Sequence, residues 1–73
     1  APVKANIQRK DDCYSIMNLS GHLPNREYYL LLLCSWPIGS IWEKTHFLIP
    51  NDFLNFVRSV LEALGVSVEV SNE

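Results

Sequence analysis

The chain has 73 residues, of which 48% are hydrophobic and 19% are charged, and its net charge is −2. This length excludes a second domain, because domains typically run to about 100–150 residues, and the high apolar fraction argues against disorder over most of the chain. The acidic balance disfavours a generic polyanion binder, whose domain is usually basic.

Residues 1–10 are predicted to form a flexible amino-terminal arm, because they are polar and show no clear period. The remaining residues, 11–73, are predicted to form a single α+β domain. Three basic residues and no acidic one lie in the arm: Lys4, Arg9 and Lys10. A basic arm of this kind can contact phosphate, although it also suits a solvated chain end.

Three strands are predicted in the first two thirds of the domain. Asp12–Leu19 alternates with a period of two, which is typical of a strand. Arg26–Trp36 is apolar on both faces and lies between turn-forming residues, so we predict a buried strand, while its four leucines leave a helix as the alternative. Ile41–Ile49 alternates again and is predicted to be the hairpin partner of that strand.

A helix and a last strand complete the domain. Asn51 is predicted to cap a helix in which six apolar residues recur at helical spacing between Phe53 and Leu64. Gly65 ends it in the position that needs a left-handed residue, and 66–70 alternates as a half-buried strand should. The predicted fold is therefore α+β with element order β-β-β-α-β, in which a small antiparallel sheet carries one amphipathic helix on one face.

One helix can cover only one face of such a sheet, and the other face would remain apolar. We therefore predict a non-enzymatic protein–protein interaction or oligomerisation module, whose partner is a second copy of the chain or another subunit of a larger assembly. The alternatives are that the arm folds over this face, or that 26–36 is a helix. The predicted partner-binding residues are Tyr28, Leu30, Leu32, Trp36 and Trp42.

The second hypothesis is a single-stranded nucleic-acid-binding domain. Trp42, Lys44 and His46 would project from one face of a strand, and an aromatic ring flanked by cations can stack a base and contact phosphate. Arg26 on the neighbouring strand and the basic residues of the arm would extend this surface. The alternative is that Trp42 belongs to the core and Lys44 is a solvated neighbour.

The sequence predicts neither catalysis nor a cofactor, metal, membrane or small-molecule ligand. Cys13, His22, Cys34 and His46 lack the close spacing of zinc ligands, and the apolar surroundings of Cys34 would raise the pKa of its thiol. Two cysteines do not make a disulfide scaffold, so we expect both to be reduced and the compartment to be intracellular. The alternative is a single bridge between Cys13 and Cys34, which requires their Cα atoms to lie within about 7 Å.

Three strands that end in Thr45–Asp52 and run into a helix resemble the layout of a family of dimeric single-strand binders related to transcriptional cofactors. The segment Tyr28–Leu64 also looks like a regulatory module associated with protein kinases. The first resemblance implies a dimer that binds single-stranded nucleic acid, although the strands here lack the dense Lys and Arg of that family.

Overall fold

A computed structural model describes residues 2–39 and 43–71 of the chain. These residues form a small α+β domain with a mixed sheet and two helices. A single 3-10 turn, Asn51–Phe53, leads into the second helix. In chain order the elements are β1 (Lys4–Arg9), β2 (Tyr14–Leu19), α1 (Asn25–Leu31), β3 (Trp36–Pro37), β4 (His46–Pro50), α2 (Leu54–Ala63) and β5 (Ser67–Ser71).

The sheet has the strand order β3-β4-β2-β1-β5. Neighbouring strands run antiparallel except β1 and β5, which are parallel. The chain passes from β4 to β5 through α2, and this crossover past β2 and β1 allows β5 to run parallel to β1. The predicted α+β class is confirmed, whereas the expectation of an antiparallel sheet is corrected to a mixed one.

The core lies between one face of the sheet and the two helices. Ile7 pairs with Met17 and Met17 pairs with Phe47, so these three fully buried side chains form a row across β1, β2 and β4. From the helices, Leu31 of α1 and Leu61 of α2 are buried in the same cluster. Alternation along each strand therefore sends one set of side chains into a single core and the other set to the opposite face.

The predicted helix at 53–64 and the strand that follows it are confirmed, and so is the stop signal between them. Gly65 adopts φ +82°, and the N–H groups of Gly65 and Val66 donate to the carbonyls of Glu62 and Leu61. These two bonds form a Schellman motif, in which the residue after the left-handed one contacts the last turn of the helix. Val66 and Leu61 are both buried, which fixes the direction in which the chain enters β5.

The predicted arm, residues 1–10, is wrong for most of its length. Lys4–Arg9 forms β1, which lies between β2 and β5 and has two strand partners. Only two apolar residues of β1 face the core, Ala5 and Ile7, and the residues between and around them are polar. The alternation is therefore too short to indicate a strand in the sequence. The domain therefore includes β1 rather than beginning at residue 11.

The predicted strand over Arg26–Trp36 is also wrong, because Asn25–Leu31 is the helix α1. Tyr28 and Leu31 are three residues apart, and both lie on the side of this helix that faces the core. The buried residues of the leucine-rich run therefore follow the helical period. The element order is consequently β-β-α-β-β-α-β. The two family resemblances depended on a strand in this segment, and the layout that carried them is absent from the described residues.

The predicted strand over Ile41–Ile49 is shortened to β4, His46–Pro50. Lys44 has φ +54°, a left-handed conformation that a β-strand does not contain. Ser40, Ile41 and Trp42 lie outside the described residues.

Candidate interaction surfaces

The predicted partner-binding residues do not share one face of the sheet. Tyr28 is only 8% exposed, and its ring lies 5.7 Å from that of Phe47 in the core. Leu32 is half-buried against the core, while Leu30 and Trp36 are exposed on different elements. Trp42 lies outside the described residues. The expected sheet-face site is thus divided between α1 and β3.

Helix α1 exposes a compact apolar surface on the side that faces away from the core. Tyr29 is 60% exposed and Leu33, in the turn after the helix, is 76% exposed. These two residues are four positions apart, and Leu30 is exposed three positions before Leu33, so all three are neighbours on the helix surface. We call Tyr29, Leu30 and Leu33 the α1 patch.

Helix α2 exposes a second apolar surface beside its buried face. At about 100° per residue, its apolar positions from Phe56 to Leu61 span about 140° of the helix circumference. The core takes only part of this arc, where Val57 and Leu61 are fully buried. The rest of the arc faces outward or lies half-buried, and we call these residues the α2 stripe: Phe53, Phe56, Val60 and Leu64.

The sequence contains the signal for the α2 stripe. The sequence predicts that the six apolar positions form one face against the core, and their arc of about 140° is wider than the minimum of about 100° that is typical of a core-facing helix. Phe56, at the edge of the arc, is 53% exposed. The width of the apolar arc, in addition to its continuity, is therefore a signal that part of it can lie outside the core.

The sheet face opposite the helices is apolar at one end and polar at the other. A cross-strand row runs from Trp36 through Leu48 and Ile16 to Gln8. A parallel row of His46, Asn18, Asn6 and Glu69 is polar throughout. In these rows, Trp36 is the one large apolar side chain that is exposed, at 58%, so the apolar surface predicted for this face lies mainly on the helices instead.

A shallow hollow lies on this polar half of the sheet, where β1, β2 and β5 meet. Its polar lining residues are all exposed to water, and they are Lys4, Asn6, Asn18, Ser20, Ser67 and Glu69. The Ser20 hydroxyl accepts a hydrogen bond from the backbone N–H of Lys4 at 2.8 Å, which ties the strand ends together.

The residues of the nucleic-acid hypothesis lie on separate surfaces. Arg26 is on α1, in the helical layer, whereas His46 is on the opposite face of the sheet. The Lys44 ammonium stands 5.4 Å from the centre of the Tyr28 ring, a cation–π contact within the domain. Because Lys44 precedes β4 in a left-handed conformation, it does not continue a strand face toward His46.

The basic residues of β1 and the following turn are engaged locally. Arg9 donates to the Asp12 carboxylate at 3.3 Å and to the carbonyl of Asp11. Lys10 donates to the side-chain carbonyl of Gln8 at 3.1 Å. Lys4 lines the polar hollow. These cations therefore lie along β1 and the turn that follows it, beside acidic and amide partners.

Both cysteines are free thiols. Cys13 is exposed in the turn between β1 and β2, and Cys34 is buried. Burial raises the pKa of the Cys34 thiol above its ordinary value, as the sequence predicted.

Among residues 2–39 and 43–71, no three His, Cys, Asp or Glu side chains are grouped so that they could hold a metal ion. In the same residues, no helix is long and apolar enough to cross a membrane.

No protein-family model matches this chain, and neither a curated protein nor a solved structure matches it.

Proposed function

We propose that this chain is a non-enzymatic protein–protein interaction module that associates with a second copy of itself through its helical layer. One observation supports the proposal. In the described part of the chain, six large apolar side chains stand exposed on the helical layer, and they belong to the α1 patch and the α2 stripe. Isolated apolar residues are ordinary on protein surfaces, but contiguous ones commonly mark an interface.

The exposed area is large enough to affect association. An aromatic side chain that is half exposed, such as Phe56, leaves roughly 100 Å² in water, and its burial would contribute about 2–3 kcal/mol. Association itself costs at least about 4 kcal/mol in lost translational and rotational freedom. Several side chains of the helical layer must therefore be buried together for a stable contact to form.

A second copy is the partner that best fits this surface. The α2 stripe contains only aromatic and aliphatic residues, so it presents no charge pattern that would select a different protein. Two such stripes can pack against each other about a two-fold axis, the commonest symmetry of soluble oligomers. A standard interface buries about 800 Å² on each partner, which is roughly one sixth of the 4896 Å² surface of this chain.

Two charge-matched variants test the proposal. Phe56→Glu places a carboxylate within the α2 stripe, whereas Asn55→Glu places the same charge on the exposed polar side of the same helix. We expect sedimentation velocity to show that the mass of the wild type and of Asn55→Glu rises with concentration. Phe56→Glu should weaken this association at least about tenfold, or about 1.4 kcal/mol.

Circular dichroism establishes that each variant is folded before its mass is compared. A wild type that stays monomeric at high micromolar concentration would contradict the proposal. Equal association of the wild type and the Phe56→Glu variant would do so as well.

The nucleic-acid hypothesis makes a different prediction for the same samples. A single-stranded oligonucleotide would quench tryptophan fluorescence at low salt, and the binding would be lost steeply as salt rises. That result, together with a monomeric protein, would replace the proposed function by the alternative.

We also propose an intracellular location. It is supported by the two unpaired cysteines, since exposed thiols such as that of Cys13 persist in reducing compartments.

A further inference from the structure

The two edges of the sheet differ in a way that points to a second contact. At one edge, β3 is two residues long and contains Pro37, which has no N–H to donate. At the other edge, β5 is five residues long and contains no proline, and within residues 2–39 and 43–71 its one strand partner is β1. A free edge of this length presents a row of main-chain donors and acceptors to any strand that approaches it.

The side chains of β5 do little to block such an approach. Stable monomers commonly protect an edge with lysine, proline, a bulge or a charge that points inward. The one charged residue of β5 is Glu69, and its pairing with Asn6 places it on the polar face of the sheet, away from the core. Val70 lies on the core face of the sheet but is 42% exposed, because β5 is an outer strand of the sheet that the described residues form.

We propose that β5 pairs antiparallel with β5 of a second copy, so that Val70 lies opposite Val70 of the second copy. This register covers the exposed Val70 side chain with its symmetry mate. It also sets Glu69 opposite Ser71 of the second copy, and the symmetry repeats the contact, so two serine hydroxyls can donate to two carboxylates. The paired sheets form one continuous sheet of ten strands.

The alternative register centred on Glu69 is disfavoured by charge. It would place two carboxylates directly opposite each other, and like charges in that position destabilise a strand pair. The remaining registers centre on a valine, and Val70 is 42% exposed whereas Val68 is half-buried against the core. The pattern of β5 therefore favours the self-complementary register centred on Val70, which a second copy supplies.

This contact is independent of the proposed function, because β5 shares no residue with the α1 patch or the α2 stripe. A chain with both contacts would assemble beyond a dimer. The test accordingly uses the Phe56→Glu background, in which the helical contact is weakened, together with Cys13→Ser, which removes the exposed native thiol.

In this background, Val70→Cys is oxidised with copper phenanthroline and analysed by non-reducing electrophoresis. Directly opposed antiparallel residues bring their Cα atoms within the range of about 4.4–6.8 Å that a disulfide requires. We expect the covalent dimer of Val70→Cys to exceed that of Glu69→Cys at least about tenfold, because residue 69 would face residue 71 of the second copy. The double variant Glu69→Cys with Ser71→Cys should also cross-link.

Sedimentation of a non-cysteine variant gives a second measurement. In the same background, Val70→Lys should lower the association constant at least about tenfold relative to Ser67→Lys, which adds the same charge at the other end of β5. A monomeric background protein at millimolar concentration would overturn the inference. Cross-linking of Glu69→Cys equal to that of Val70→Cys would overturn the register, and a background dimer that neither cross-links nor responds to Val70→Lys would place the contact elsewhere.

Discussion

Asn51 joins the start of α2 to residues 11–15, which are 36–40 positions earlier in the sequence. Its side-chain carbonyl accepts a hydrogen bond from the buried Ser15 hydroxyl at 2.6 Å, and its side-chain amide donates to the carbonyl of Asp11 at 2.8 Å. Its backbone N–H donates to the carbonyl of Cys13 at 2.9 Å. The sequence predicted a helix cap at this residue, but its side chain makes no capping bond. The hydrogen bonds of Asn51 instead connect the start of α2 to the β1–β2 turn and to β2.

Replacing Asn51 with alanine should lower the free energy of unfolding by about 1–3 kcal/mol, because it leaves the buried Ser15 hydroxyl without its partner. The measurement is chemical denaturation followed by circular dichroism, with Asn55→Ala, an exposed site on α2, as the control. A double-mutant cycle with Ser15→Ala should show coupling of at least about 0.5 kcal/mol. Additive effects would indicate that Asn51 stabilises the protein without its contact to Ser15.

Cys34 should make the stability of the protein depend on pH in the alkaline range. Burial raises the pKa of its thiol in the folded state above the ordinary value of 9.0. The unfolded chain therefore ionises first, so this contribution is fully present below about pH 9 and is lost as the pH rises through the folded-state pKa. The loss cannot exceed about 1.4 kcal/mol per pH unit for one group.

Denaturation of the wild type and of Cys34→Ala at a series of pH values between neutrality and about 10 measures this effect. We expect the difference in unfolding free energy between the two proteins to shrink as the pH rises above about 9. A difference that stays constant across the range would contradict the assignment to Cys34.

Among the elements, the end of α2 depends most directly on one backbone conformation. Gly65 has φ +82°, where a side chain is strained although a Cβ would meet no neighbour within 4 Å. Gly65→Ala should therefore destabilise the protein by about 1–2 kcal/mol through the backbone alone. Gly21→Ala is the control, because its Cβ would meet Val3 at an ordinary 3.5 Å and Gly21 lacks a positive φ. Thermal unfolding should show a clearly larger decrease in Tm for Gly65→Ala.

The helix α1 shows why one element was predicted wrongly. Short apolar runs fit a buried strand and a helix equally well, and the flanking prolines favoured the strand. In the fold, α1 buries Tyr28 and Leu31 while Tyr29, Leu30 and Leu33 remain outside. The run is apolar all round because one side faces the core and the other forms the α1 patch. That second apolar side hides the helical period of the buried residues, so the hydrophobic pattern could not decide between a helix and a strand, although the leucines favour a helix.

The helix α2 shows the opposite case, in which local signals sufficed. Its apolar period, the stop at Gly65 and the alternation after it all lie within about twenty residues, and the structure confirms each of them. The exposed part of its apolar arc was also visible in the sequence through its width. The interface candidate on α2 was therefore within reach of sequence analysis, whereas the α1 patch required the correct element first.

At the scale of the whole molecule, the pairing of β1 with β5 was beyond local prediction. It joins residues near the two ends of the chain, such as Lys4 and Ser67, and makes the sheet mixed. The few apolar residues of β1 gave no sign of a strand with two partners. The expectation that the domain binds a partner stays a prediction. It now depends on the apolar surface of the helical layer and on one strand edge, rather than on an uncovered sheet face.

The two-residue strand β3, with its proline, limits strand pairing at its edge of the sheet. If β5 pairs as proposed, the sheet has one edge that can pair and one edge that cannot. Along the strand-pairing direction, such a molecule would pair once and stop, whereas two open edges would allow the sheet to extend without limit into a fibre. Pro37 and the shortness of β3 therefore favour a pair of finite size over aggregation along the strand-pairing direction, even at the concentrations that self-association requires.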